Sequence, residues 1–133
     1  MVKWDDFVKI IERDFDYLVK EFGFKKVSNE IPFVIFESKY VRISFFWEYG
    51  GRYEFDIGFE PILDDEKQYY SLGISDLHKR SNTEYLLIDS KEKIEQSSKE
   101  MASVLAKYGQ KILTGDKAKI TKIFKKYEKL TEV

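Results

Sequence analysis

Four carboxylates on one stretch of chain are the residues best placed to do chemistry: Glu48, Glu54, Asp56 and Glu60. Glu54, Asp56 and Glu60 recur at even spacings within RYEFDIGFE, and Glu48 closes the preceding segment, VRISFFWE. Side chains of an extended strand alternate between its two faces. These acids therefore share one face of a strand pair, with Arg42, Ser44, Phe46 and Gly58. The other face carries Val41, Ile43, Phe45, Trp47, Tyr53, Phe55, Ile57 and Phe59 and must be covered. Paired carboxylates can serve acid–base catalysis or hold a divalent cation, but both need ligands that converge. Acids spread over an open sheet suit a solvated face or a protein-binding face instead. Phe46, the one large apolar residue of that acidic row, has the make-up of an interface anchor.

Other chemistry is sparse. His78 is the only histidine and sits among Asp76, Lys79, Arg80 and Ser81, like the end of a short surface helix. Asp64, Asp65 and Glu66 lack the glycine and spacing of a calcium loop. There are no cysteines, which excludes disulfides, thiolate metal sites and a cysteine nucleophile. Glycine-rich phosphate loops, the nucleophile elbow and helical histidine pairs are absent. We expect no enzyme activity, no cofactor and no metal.

Net charge, −1, hides a separation. From Glu48 to Glu66 seven acids face one base, Arg52. From Lys107 to Lys129 eight lysines face Asp116 and Glu128. Lys119, Lys122, Lys125, Lys126 and Lys129 fall between the apolar positions of the last helix. They are either its wet side or an alternative, phosphate-binding surface for nucleic acid; the other alternative is a small-ligand binder with an aromatic-lined pocket between sheet and helices.

The elements that position these residues follow from hydrophobic period. Phe7, Ile11, Phe15, Leu18 and Phe22 predict one amphipathic helix over 4–22, with Asp5 and Asp6 at its positive end and Gly23 as its cap. Residues 24–30 read as a loop or short edge strand and Phe33–Glu37 as an apolar strand. Gly50-Gly51 supplies the hairpin turn between the two long strands. Residues 61–88 read as irregular, with a helical turn at 75–79 and a short strand or helix lead-in at 85–88. Residues 91–113 read as one helix capped by Asp89 or Ser90, with a stripe of Ile94, Met101, Leu105, Tyr108 and Ile112. Gly109 marks a kink or break in it. Asp116 caps a last helix that buries Ile120, Ile123, Phe124 and Tyr127. The class is α+β: an N-terminal helix, a three- to four-stranded antiparallel meander, and two C-terminal helices packed on one face of the sheet, as one domain over 1–133.

Residues 1–10, MVKWDDFVKI, place acids where a signal peptide needs an apolar run, and no apolar stretch reaches the roughly 18 residues of a membrane span. Together with the lack of cysteine, this suits a soluble protein of a reducing cytoplasm. An exposed edge strand could pair with its symmetry mate as a homodimer.

In layout the chain resembles the small α+β immunity proteins of bacterial polymorphic toxin systems, including contact-dependent inhibition and type VII secretion. The resemblance lies in the opening FVKIIERDFDYLVKEFGF, the strand pair VRISFFWEYGGRYEFDIGFE and the closing ASVLAKYGQKILTGD with its following helix. It implies a cytoplasmic protein that binds and neutralises one cognate toxin. It carries over no binding residues. An acidic face would suit a basic toxin, with Phe46, Glu48, Glu54, Asp56 and Glu60 as contacts. The order of helix, three strands and helix is also similar to double-stranded RNA-binding domains. This chain is longer, its sheet is acidic, and it adds a terminal helix.

Overall fold

The computed structural model describes residues 2–48, 54–63, 72–74 and 90–131, with side chains of the last helix described as far as residue 126. The elements run α1 (Trp4–Asp14), α2 (Asp16–Lys20), β1 (Lys25–Ser28), β2 (Phe33–Glu37), β3 (Val41–Trp47), β4 (Phe55–Pro61), β5 (Leu72–Gly73), α3 (Lys91–Tyr108), α4 (Gln110–Leu113) and α5 (Lys117–Thr131). The α+β class holds, with an N-terminal helix, an antiparallel sheet and C-terminal helices. The sheet has five strands in the order β1-β2-β3-β4-β5, not three or four. The added strands are the edges, each short: β1 has four residues and β5 has two.

The amphipathic periods form the expected elements with local departures. The opening helix breaks at Phe15, whose backbone leaves the helical region (φ −109°, ψ 20°) while its side chain stays fully buried. The apolar stripe therefore continues across the break: Phe7, Ile11, Phe15 and Leu18 are all buried. Gly23 ends α2 at φ +73°, and the Phe24 N–H donates to the Leu18 carbonyl at 2.9 Å. The left-handed glycine turns the chain, and this bond, reaching six residues back, satisfies a carbonyl that the helix end would leave without a partner. Ser90 caps α3, its hydroxyl accepting from the Lys93 N–H at 3.2 Å. Asp116 caps α5, accepting from the Lys119 N–H at 2.9 Å.

Gly109 does break the long helix, separating α3 from α4. Ile94, Met101, Leu105 and Ile112 are buried, but Tyr108 is not: 42% of it is exposed. The break falls directly after Tyr108, so the stripe ends at Leu105 and resumes on α4.

β3 and β4 pair over seven residues from Val41↔Pro61 to Trp47↔Phe55 with no bulge. Val41, Ile43, Phe45, Trp47, Phe55, Ile57 and Phe59 are all buried, as their alternation predicts. The helices cover this inner face. Phe7 meets Trp47 and Phe55 at centroid distances of 5.2 and 5.3 Å, and Phe15 meets Phe45 at 4.6 Å. α3 lies along α1, and the Tyr17 hydroxyl donates to the Ala102 carbonyl at 2.8 Å. Lys26 on β1 pairs with Glu12 on α1, tying the sheet edge to the helix layer.

The expected Gly50-Gly51 turn, the helical turn at 75–79 and the strand or lead-in at 85–88 lie outside the described residues, as do the side chains of Tyr127 and Lys129. No helix among the described residues is long and apolar enough to cross a membrane.

Candidate functional site

The outer face of the sheet is built in rows across the strands, because paired residues on neighbouring strands point the same way. One row joins Glu37, Arg42 and Glu60. The next joins Ile35, Ser44, Gly58 and Gly73. The third joins Phe33, Phe46 and Asp56. Glu48 and Glu54 continue beyond it, held by the Glu48 N–H donating to the Glu54 carbonyl at 2.9 Å.

These rows place the sequence candidates in two groups. Glu60 is drawn into an ion-pair cluster. Arg42 Nε meets Glu37 Oε2 at 2.6 Å, and Arg42 Nη1 meets Glu60 Oε2 at 3.6 Å. Its charge is partly answered within the chain. Asp56 is exposed, and its Oδ1 accepts from the Ile57 N–H at 2.8 Å. With Glu48 and Glu54 it forms the acidic end of the face, next to Phe46. Among the described residues, the five carboxylates Glu37, Glu48, Glu54, Asp56 and Glu60 share the outer face with two cations, Arg42 and the edge-strand Lys25 opposite Glu37, so these residues are net acidic.

Phe46 is half-buried, and its ring lies 5.3 Å from that of Phe33 on β2. Sequence alternation missed Phe33, because FVIFE reads as apolar throughout. The signal lay in parity: Phe33 shares its face with Glu37, whereas Val34 and Phe36 are buried. Phe33 is 40% exposed. Trp47, next to Phe46 in sequence, points into the core and is buried, as its place on the apolar face predicts. Tyr53, which the alternation places on the covered face, lies outside the described residues.

The β1–β2 connection borders the same end of the sheet. Phe33 N–H donates to the Glu30 carbonyl at 2.8 Å and Trp47 N–H to the Pro32 carbonyl at 3.1 Å. The Trp4 indole N–H donates to the Asn29 carbonyl at 2.9 Å. The Ile31-Pro32 peptide is cis. Val27 and Ile31 stand exposed on this connection and its strand.

On the other side of the molecule, Lys119, Lys122, Lys125 and Lys126 are exposed along α5. An open cleft of about 390 Å³ lies at the opposite end of the sheet, between Gly23, the Ser38–Tyr40 turn and Gly115, with Lys39 in its lining. Among the described residues no three acidic or histidine side chains converge as metal ligands would. His78, Asp64, Asp65 and Glu66 lie outside the described residues.

No protein-family model, curated protein or solved structure matches this chain. The outer sheet face must therefore be read from its own chemistry.

Proposed function

We propose that the chain is a non-enzymatic protein-binding module of immunity type, which binds and neutralises a basic protein toxin through the outer face of its sheet. One observation carries this reading: Glu48, Glu54 and Asp56 stand beside the Phe33–Phe46 ring pair on a face that no described element covers. Aromatic anchors ringed by charge concentrate binding energy, and unbalanced charge speeds association with an oppositely charged partner. Rigid backbone on both strands lets the face bind with little ordering cost.

The test is affinity capture from the source cell, with a Glu54→Lys/Asp56→Lys bait as control. The expected result is one basic protein held by wild type and lost by the variant, with binding that weakens between about 50 and 200 mM salt as screening shortens. Equal capture by both baits removes the acidic face from the interface.

A second reading rests on Lys119, Lys122, Lys125 and Lys126, which stand exposed along α5. It makes α5 a nucleic-acid surface and requires steeply salt-dependent retention on RNA or DNA. No retention at about 50 mM salt eliminates it.

A further inference from the structure

We infer that the interface is centred on an apolar prominence at the β1–β2 turn, and that its partner is a protein surface offering leucine-like side chains with lysine or arginine alongside. The inference rests on the acidic-interface reading and moves its centre from charge to apolar contact. Five large apolar side chains are exposed among the described residues, and three of them, Val27, Ile31 and Phe33, fall within seven residues of chain. They are 53%, 56% and 40% exposed. Scattered apolar residues on a surface need no explanation, but this concentration on one short segment is the kind that marks an interaction site. Phe33 also meets the half-buried Phe46 through a ring contact on the outer face.

The turn is also held in place, although it packs into no core. Its Glu30, Pro32 and Asn29 carbonyls each accept a hydrogen bond, two from neighbouring backbone and one from the Trp4 indole. Fixing exposed apolar residues in one geometry lowers the cost of ordering them on binding. Charge selects the occupant. Asp56 completes the Phe33–Phe46 row, and Glu48 and Glu54 lie one step further along β3 and β4. A partner that seats an apolar group over Ile31 and Phe33 therefore sets its flanking cations over these acids.

The probe is an amphipathic leucine–lysine helical peptide, compared with oligolysine of equal charge. Binding is followed by amide chemical shifts, after sedimentation has established the free protein's state. We expect the amphipathic peptide to bind about ten-fold tighter than oligolysine, the size of one hot-spot contact. It should shift Val27, Ile31 and Phe33. The single variant Ile31→Ser and the double variant Ile31→Ser/Phe33→Ser should each reduce that advantage, both keeping the wild-type near-ultraviolet spectrum. Equal affinity for the two peptides, or unchanged affinity in both variants, overturns the inference. If that common affinity is still lost in Glu54→Lys/Asp56→Lys, the acidic-interface reading survives alone. No binding of either peptide removes both. A dimer that dissociates in the Ile31→Ser variant makes the occupant a second copy of this chain and likewise overturns it.

Discussion

The Tyr17 hydroxyl donates to the carbonyl of Ala102, 85 residues further along the chain, at 2.8 Å. This bond pins the end of the opening helical pair to the middle of α3. Burial, reinforced by the charge of Glu21, raises the phenol above its ordinary value of 10.0. Tyr17→Phe should cost about 1 kcal/mol at neutral pH, the net value of one such bond. The pH dependence has a definite sign. The unfolded chain releases the phenolic proton near pH 10, before the folded chain does, so the phenol's contribution is complete below that pH and declines above it. Urea unfolding should show wild type losing stability above pH 10 more steeply than Tyr17→Phe. Parallel curves for the two proteins would count against this account.

Ser98 on α3 is fully buried, and its hydroxyl has no hydrogen-bond partner among the described residues. A buried hydroxyl without a partner costs about 1–3 kcal/mol. Ser98→Ala should leave stability unchanged or raise it by about 1 kcal/mol. A clear loss of stability in denaturant titration would mean that the hydroxyl is satisfied after all.

Gly58 occupies the middle of β4, yet an added Cβ would meet nothing closer than the Leu72 carbonyl oxygen at 3.9 Å. The β3–β4 register shows no bulge there. Gly58→Ala should therefore stabilise the fold by about 0.5–1 kcal/mol, since glycine is entropically unfavourable inside a strand. A rise in melting temperature checks this. If the partner closes down on the middle row of the outer face, the same change should also weaken binding.

Arg42 sits between Glu37 and Glu60 and is itself 42% exposed in its side chain. Exposed pairs contribute little, so Arg42→Gln should change stability by less than about 1 kcal/mol. It should, however, deepen the negative field of the outer face. Association with a basic partner should speed up several-fold at low salt, with little change in dissociation. Unchanged association kinetics would argue that the partner does not sense this face.

How much was legible in the sequence depends on how far each signal was local. The strict alternation of VRISFFW and FDIGFE identified the buried and open faces of β3 and β4, since period-two pattern and burial agree at every described position. The break at Phe15 left no mark, because Phe15 keeps the helical spacing of the apolar stripe. β1 was ambiguous because its KKVS segment buries nothing, and β5 was hidden because its two residues are strand only through pairing with β4. The acidic site was legible as charge on a face. Its sorting was not: that Arg42 answers Glu60 while Phe33 joins Phe46 is a matter of cross-strand register. Register depends on which residues of separate segments come to lie opposite each other.

The chain has two tryptophans, and they lie together. Trp4 opens α1 and Trp47 closes β3, with rings 6.3 Å apart and 4° from parallel. Trp4 also bonds the Asn29 carbonyl, at the base of the turn that carries Ile31. Two indoles in this arrangement couple their electronic transitions. Any event that moves the β1–β2 turn is thus reported by an unlabelled optical signal already present in the molecule.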